Sequence, residues 1–115
     1  MPRDDSASIL DMLRAARLAL EFVGTITRDD FMRDLKTQSS VVHQLLVLGE
    51  ACKRLSDRFQ RQHEEVPWHQ VAAMRDVLIH QYDSVDLAEV WRTLTVDLPP
   101  LIAFLERHAP LSPPN

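Results

Sequence analysis

Apolar residues recur along this chain at alternating spacings of four and three, the signature of helices that each bury one stripe. The first stripe is Ile9, Leu13, Ala16, Leu20 and Val23, with Asp5 or Ser6 placed to cap it and Gly24 to stop it. Thr27 followed three positions later by Asp30 has the form of an acidic capping box, so residues 28 to 35 are predicted as a short helix or turn. A second long helix carries Val41, Leu45, Leu48, Cys52, Leu55 and Phe59, flanked by Val42, Leu46 and Gly49, with Lys53, Arg54, Arg58 and Arg61 on its later turns. Residues 60–65 read as a charged loop. Pro67 then stands where a helix favours its first residue, launching a third helix striped by Trp68, Val71, Ala72, Arg75, Leu78 and Ile79. Asp83 or Asp86 begins a fourth through Leu87, Val90, Trp91, Leu94 and Leu98. Pro99 and Pro100 remove two backbone donors and are predicted to kink or split that helix before Leu101 and Leu105. Residues 1–5 read as frayed and residues 110–115 as a Pro-rich, disordered tail. No segment alternates with period two. The expectation is an all-α protein, an antiparallel bundle of four to five helices forming one domain over residues 1–115.

Composition narrows the function classes. The chain has 115 residues, 45% of them hydrophobic and 26% charged, with only two glycines. That length allows one buried core and not two. Thirteen basic against seventeen acidic residues give a net charge of −4, which argues against coating nucleic acid by bulk electrostatics while leaving room for a local basic cleft. The N-terminus has no apolar signal core, and the longest run of large apolar residues is Leu45 to Leu48, far short of a membrane span. A single cysteine, Cys52, allows no internal disulfide and lies on an apolar stripe, so it reads as a core thiol in a cytoplasmic protein without membrane contact. The five histidines show no zinc-ligand spacing and the two glycines form no phosphate-cradling loop, so neither metal nor cofactor is expected.

The candidate chemistry lies in Met74 to Tyr82, which holds a permanent cation, an imidazole and a phenol. Arg75 falls on the core-facing stripe. Asp76 and His80 are four apart and share a helix face, where a carboxylate would fix one imidazole tautomer and favour its protonated form. Tyr82 would share the face of Arg75 if the helix continued. Such a set suits metal-free phosphodiester chemistry: the histidine moves a proton at a ribose 2′-hydroxyl or leaving oxygen, and the guanidinium forks onto phosphate oxygens. By pattern alone the commoner alternative is a structural arginine paired with Asp76 or another helix carboxylate, with a histidine closing the helix. Lys53, Arg54 and Arg58 form either a solvated face or, in a dimer, the lining of an RNA groove.

Arg75, four residues, His80, one residue and Tyr82, on the third helix of an all-helical chain, resemble the signature of the HEPN superfamily, and specifically of the HepT-like toxins. Val47-Leu48-Gly49-Glu50-Ala51, Val66-Pro67-Trp68, Val85-Asp86-Leu87 with Trp91, and Asp97-Leu98-Pro99 extend the resemblance over residues 8 to 106. It implies a homodimer whose two motifs face one cleft, metal-independent RNA cleavage, and neutralisation by a nucleotidyltransferase antitoxin. Carried over by residue, it implies Arg75 and His80 as the catalytic pair, Asp76 as the polar residue after the arginine, and Tyr82 as the tyrosine on which the antitoxin places AMP. Glu50 would pair with Arg75. Asp76 stands where the family frequently has Asn, which bears on the basicity of His80, and Pro100 after Pro99 is also less usual. The rival expectation is a non-catalytic HEPN module that only dimerises and docks a nucleotidyltransferase partner.

Overall fold

A computed structural model of the chain describes residues 5–80 and 84–110, with His80 placed only as the last residue of its helix. Tyr82, the alternative cap Asp83, the N-terminal residues 1–4 and the tail residues 111–115 therefore lie outside the described residues. Four long helical rods form the bundle: α1 (Ser6–Val23), α3 (Leu35–Lys53), α5 (Trp68–His80), and a continuous rod made of α6 (Leu87–Arg92), a π-helical segment (Thr93–Asp97) and α7 (Leu98–His108). Two short helices, α2 (Arg28–Arg33) and α4 (Asp57–Gln62), fill the connections. No described residue is in a strand, and no described helix is long and apolar enough to cross a membrane.

Local chemistry sets the ends of these rods. Gly24 closes α1 at φ 56°, a left-handed backbone angle that costs glycine no Cβ clash. Thr27 caps α2 through the amide of Asp30 at 3.1 Å, and Asp86 caps α6 through the amide of Glu89 at 3.2 Å. Asp5 precedes α1 but makes no cap bond there; its carboxylate accepts from the amide and hydroxyl of Ser56 at 2.8 and 2.7 Å, tying the start of α1 to the start of α4.

The second helix is shorter than its apolar stripe implied. It ends at Lys53, and Ser56 opens α4 by accepting from the amide of Phe59 at 3.1 Å. Leu55 and Phe59 keep the spacing of the stripe across that break, which hid it. Residues 60–62, expected in a loop, are the last turn of α4, and Arg58 and Arg61 ride on α4 instead of α3. Pro67 stands one residue ahead of α5, its carbonyl accepting from the amides of Gln70 and Val71.

Pro99 and Pro100 neither split nor stop the fourth rod. The chain widens into the π segment just before them, where the amide of Leu98 reaches back five residues to the carbonyl of Thr93. The hydroxyls of Thr93 and Thr95 donate to the carbonyls of Glu89 and Trp91, four residues back. The prolines then occupy the first turn of α7, where a missing N–H is not needed.

One core unites the rods. Ala15, Ala16 and Ala19 are buried on α1 and let it lie close against α3, while Met12, Phe31, Leu45, Leu48, Leu94, Leu98 and Leu105 are fully enclosed. Each such leucine removed from water contributes about 1.5–3 kcal/mol. At one end Phe104 packs among Phe59, His63, Trp68 and His108, stacking on the His108 ring at 4.1 Å. Of the predicted α5 stripe, Trp68 and Leu78 are buried and Ile79 is exposed. The helix leans on α3 and leaves an apolar cleft of about 930 Å³ on its other side, against the fourth rod, with Val71, Met74 and Leu78 facing Val90, Leu98 and Leu101.

Candidate active site

Arg75 sits at a close approach of α5 to α3, and the residue opposite it is Gly49. A Cβ added at Gly49 would lie 2.5 Å from the Arg75 Cβ, 3.2 Å from its amide nitrogen and 3.3 Å from its Cα. Only glycine permits this approach. The stem of Arg75 is therefore at the helix contact, as its stripe position implies, but the side chain is still 34% exposed because the guanidinium reaches outward to the half-exposed Glu50 and Asp76.

The guanidinium is held on two edges. Its Nε lies 3.0 Å from Glu50 Oε2 on α3, and its Nη1 donates to Asp76 Oδ1 at 3.0 Å. Lys53, the last residue of α3, donates to the same Asp76 oxygen at 2.8 Å. Lys53 and then Arg75 hold the Asp76 carboxyl below the usual carboxylate range. Two cations and two carboxylates thus form a charge-balanced, half-exposed network between α3 and α5. On α3, Lys53 follows Gly49 by four residues and Glu50 by three, so the second cation lies beside both the contact and the clamp.

The predicted site residues separate on this geometry. Arg75, Asp76 and Lys53 come together, joined by Glu50 as expected. His80 ends the same helix, five residues beyond Arg75. Asp76 accepts from both Arg75 and Lys53: the arginine pairing is the alternative that the sequence pattern offered, whereas Lys53 arrives from another rod, which helix spacing could not supply. Arg54 turns away to pair with Asp11 of α1 at 3.2 Å, and Arg58 lies on α4, so these two do not extend the network. Among the described residues no group of three or more His, Cys, Asp or Glu is gathered for a metal ion. Cys52 is buried, its thiol 3.4 Å from the carbonyl oxygen of Trp68, and burial pushes it up to about 11, which leaves it protonated and unreactive at neutral pH.

A protein of Thermococcus cleftensis named "Probable ribonuclease HepT" is 39% identical over 93% of this chain and 97% of its own length. Provisionally named RNases of Methanocaldococcus jannaschii and Caldanaerobacter subterraneus subsp. tengcongensis are 37% and 36% identical, over 79% and 78% of this chain and 76% and 80% of their own. No solved structure matches. The profile of the family described as ribonuclease HepT-like matches residues 12–108, and with the relatives it places this chain in the HepT-like family of the HEPN superfamily.

Proposed function

We propose that the protein is a metal-independent endoribonuclease that acts as the toxin of a toxin–antitoxin pair. The observation that carries this reading is the Arg75 guanidinium, anchored by Glu50 yet open to solvent, on the same helix as His80. Histidine titrates near pH ~6.5 when unperturbed, so it serves either as base or as acid near neutrality. In the reaction, one His80 imidazole takes the proton of a ribose 2′-hydroxyl, the 2′-oxygen attacks phosphorus, and the bond to the 5′-oxygen breaks as that oxygen receives a proton. The products are a 2′,3′-cyclic phosphate and a 5′-hydroxyl. Arg75 stabilises the charge that builds on the non-bridging oxygens.

A homodimer completes the site by facing two motif copies across one cleft. In support, Val77 and Val96 are 51% and 57% exposed on either side of the apolar cleft beside α5, apolar surface that a second copy would cover. A nucleotidyltransferase antitoxin neutralises the toxin by placing AMP on Tyr82, two residues beyond His80 and the sole tyrosine in the chain. The added anion would occupy the phosphate's place beside Arg75. The site of action is the cytoplasm.

The test is cleavage of single-stranded RNA by the purified protein with EDTA present. Activity should persist, and Arg75→Ala and His80→Ala should each abolish it in proteins that still fold. Retained cleavage in both variants refutes the site; no cleavage by the native dimer favours the non-catalytic docking module. Intact-mass measurement after co-expression with the antitoxin should find Tyr82 carrying AMP, and a neutralised but unmodified toxin refutes that step.

A further inference from the structure

Two cations from different helices meet on one oxygen. Lys53 Nζ of α3 lies 2.8 Å and Arg75 Nη1 of α5 lies 3.0 Å from Asp76 Oδ1. A carboxylate oxygen shared between an ammonium and a guanidinium matches a non-bridging phosphate oxygen in charge and in the bonds it accepts. The side chains of Lys53 and Asp76 are 37% and 46% exposed, so solvent and ligand reach the shared oxygen. Glu50 holds the guanidinium through Nε, while Nη1 stays on the Asp76 oxygen that Lys53 shares.

We propose that Lys53 and Arg75 together form a seat for one phosphodiester of the RNA, and that the Asp76 carboxylate is its resting occupant, displaced when substrate binds. This rests on the ribonuclease reading and adds to it a binding residue from α3 and a competitor inside the motif. Rotation of the Asp76 side chain vacates the seat, and the incoming phosphate replaces one negative charge with another. Lys53 thus binds the substrate backbone without taking part in proton transfer, and Asp76 lowers affinity for RNA by competing for the same two cations.

The test is binding of a single-stranded RNA, 2′-O-methylated throughout so that it cannot be cleaved, followed by fluorescence anisotropy over a series of salt concentrations. Lys53→Met should weaken binding and reduce the slope of log Kd against log salt by about 0.7, the contribution of one phosphate on a single strand, while Lys53→Arg retains both. Asp76→Asn should tighten binding by roughly two- to five-fold, the equilibrium equivalent of removing a half-exposed competing ion pair. A Lys53 that only braces α3 against α5 would lower Tm in Lys53→Met and leave the salt slope unchanged, which overturns the proposal, as does weaker binding by Asp76→Asn. If the native protein cleaves RNA and Arg75→Ala does not, while Lys53→Met binds as the native protein does, the seat alone falls. If the native protein neither binds nor cleaves RNA, the ribonuclease reading falls and takes the seat with it.

Discussion

Replacing Gly49 with alanine adds one methyl group where α3 and α5 approach closely. That methyl carbon would lie 2.5 Å from the Arg75 Cβ, whereas carbon atoms settle at about 3.5–4.0 Å. Neither the Arg75 Cβ nor its backbone can swing aside as a flexible side-chain end would, so α5 must retreat by about 1 Å. Overpacking of this kind costs about 1–3 kcal/mol, against which alanine regains about 1 kcal/mol of helix propensity over glycine. The net expectation is a loss of up to about 2 kcal/mol, read as a fall in Tm of several degrees for a chain of this size. Activity should suffer more than stability, because a displacement of about 1 Å at a charge-stabilising group lowers rate by as much as ~100-fold. Thermal melts and RNA cleavage measured on the same preparations check both. A Gly49→Ala protein that melts no lower than the native one and cleaves at the native rate would refute the claim that this approach positions Arg75.

Three further perturbations probe the scaffold. Phe104→Ala empties the aromatic cluster at one end of the core and should cost about 3–5 kcal/mol in urea unfolding. Asp34 caps α3 through the amide and hydroxyl of Thr37 at 3.1 and 2.7 Å, and the hydroxyl bond chiefly holds its carboxyl below the usual range. Because its folded pKa is depressed, its stabilisation is complete above the ordinary value of 3.8 and fades as pH falls below it; Asp34→Ala should lower the urea midpoint at neutral pH and match the native protein in strong acid. Cys52 should resist a thiol reagent at pH ~8 in the native state and react once unfolded. Its folded pKa is raised, so the native state holds the thiol proton more tightly and stability should decline as pH rises from 9.0 to about 11, a decline that Cys52→Ala removes.

The four rods were legible because periodicity and local caps agree: Gly24, Thr27 and Asp86 each act at the position the sequence assigns. The end of α3 was not, since the apolar spacing runs on through Leu55 and Phe59 and only Ser56, with its bond to the Phe59 amide, marks the break. The pairing of Glu50 with Arg75 could be anticipated from a carboxylate and a buried-face arginine seeking each other. Lys53 on Asp76 could not, because the spacing of Asp76 and His80 on one helix says nothing of a cation arriving from another. Ile79 was assigned to the core by spacing alone, yet the last turn of α5 turns Leu78 inward and leaves Ile79 exposed. The close approach at Gly49 is tertiary by nature: a glycine within a helical stripe reads as a flaw until its neighbour is known.

The widened segment at Thr93–Asp97 also bears on how this chain can change in length. A π turn holds more residues than the α turn it replaces, so the fourth rod carries local slack just ahead of Pro99 and Pro100. A chain one residue shorter there, with both prolines replaced by ordinary helix formers, would run as plain α-helix and still bring Leu98, Leu101 and Leu105 to the same core. The same deletion inside α3 would rotate everything beyond it by about 100° and swing Lys53 away from Asp76. In the fourth rod, by contrast, a change of one residue leaves the Arg75 network on α3 and α5 untouched.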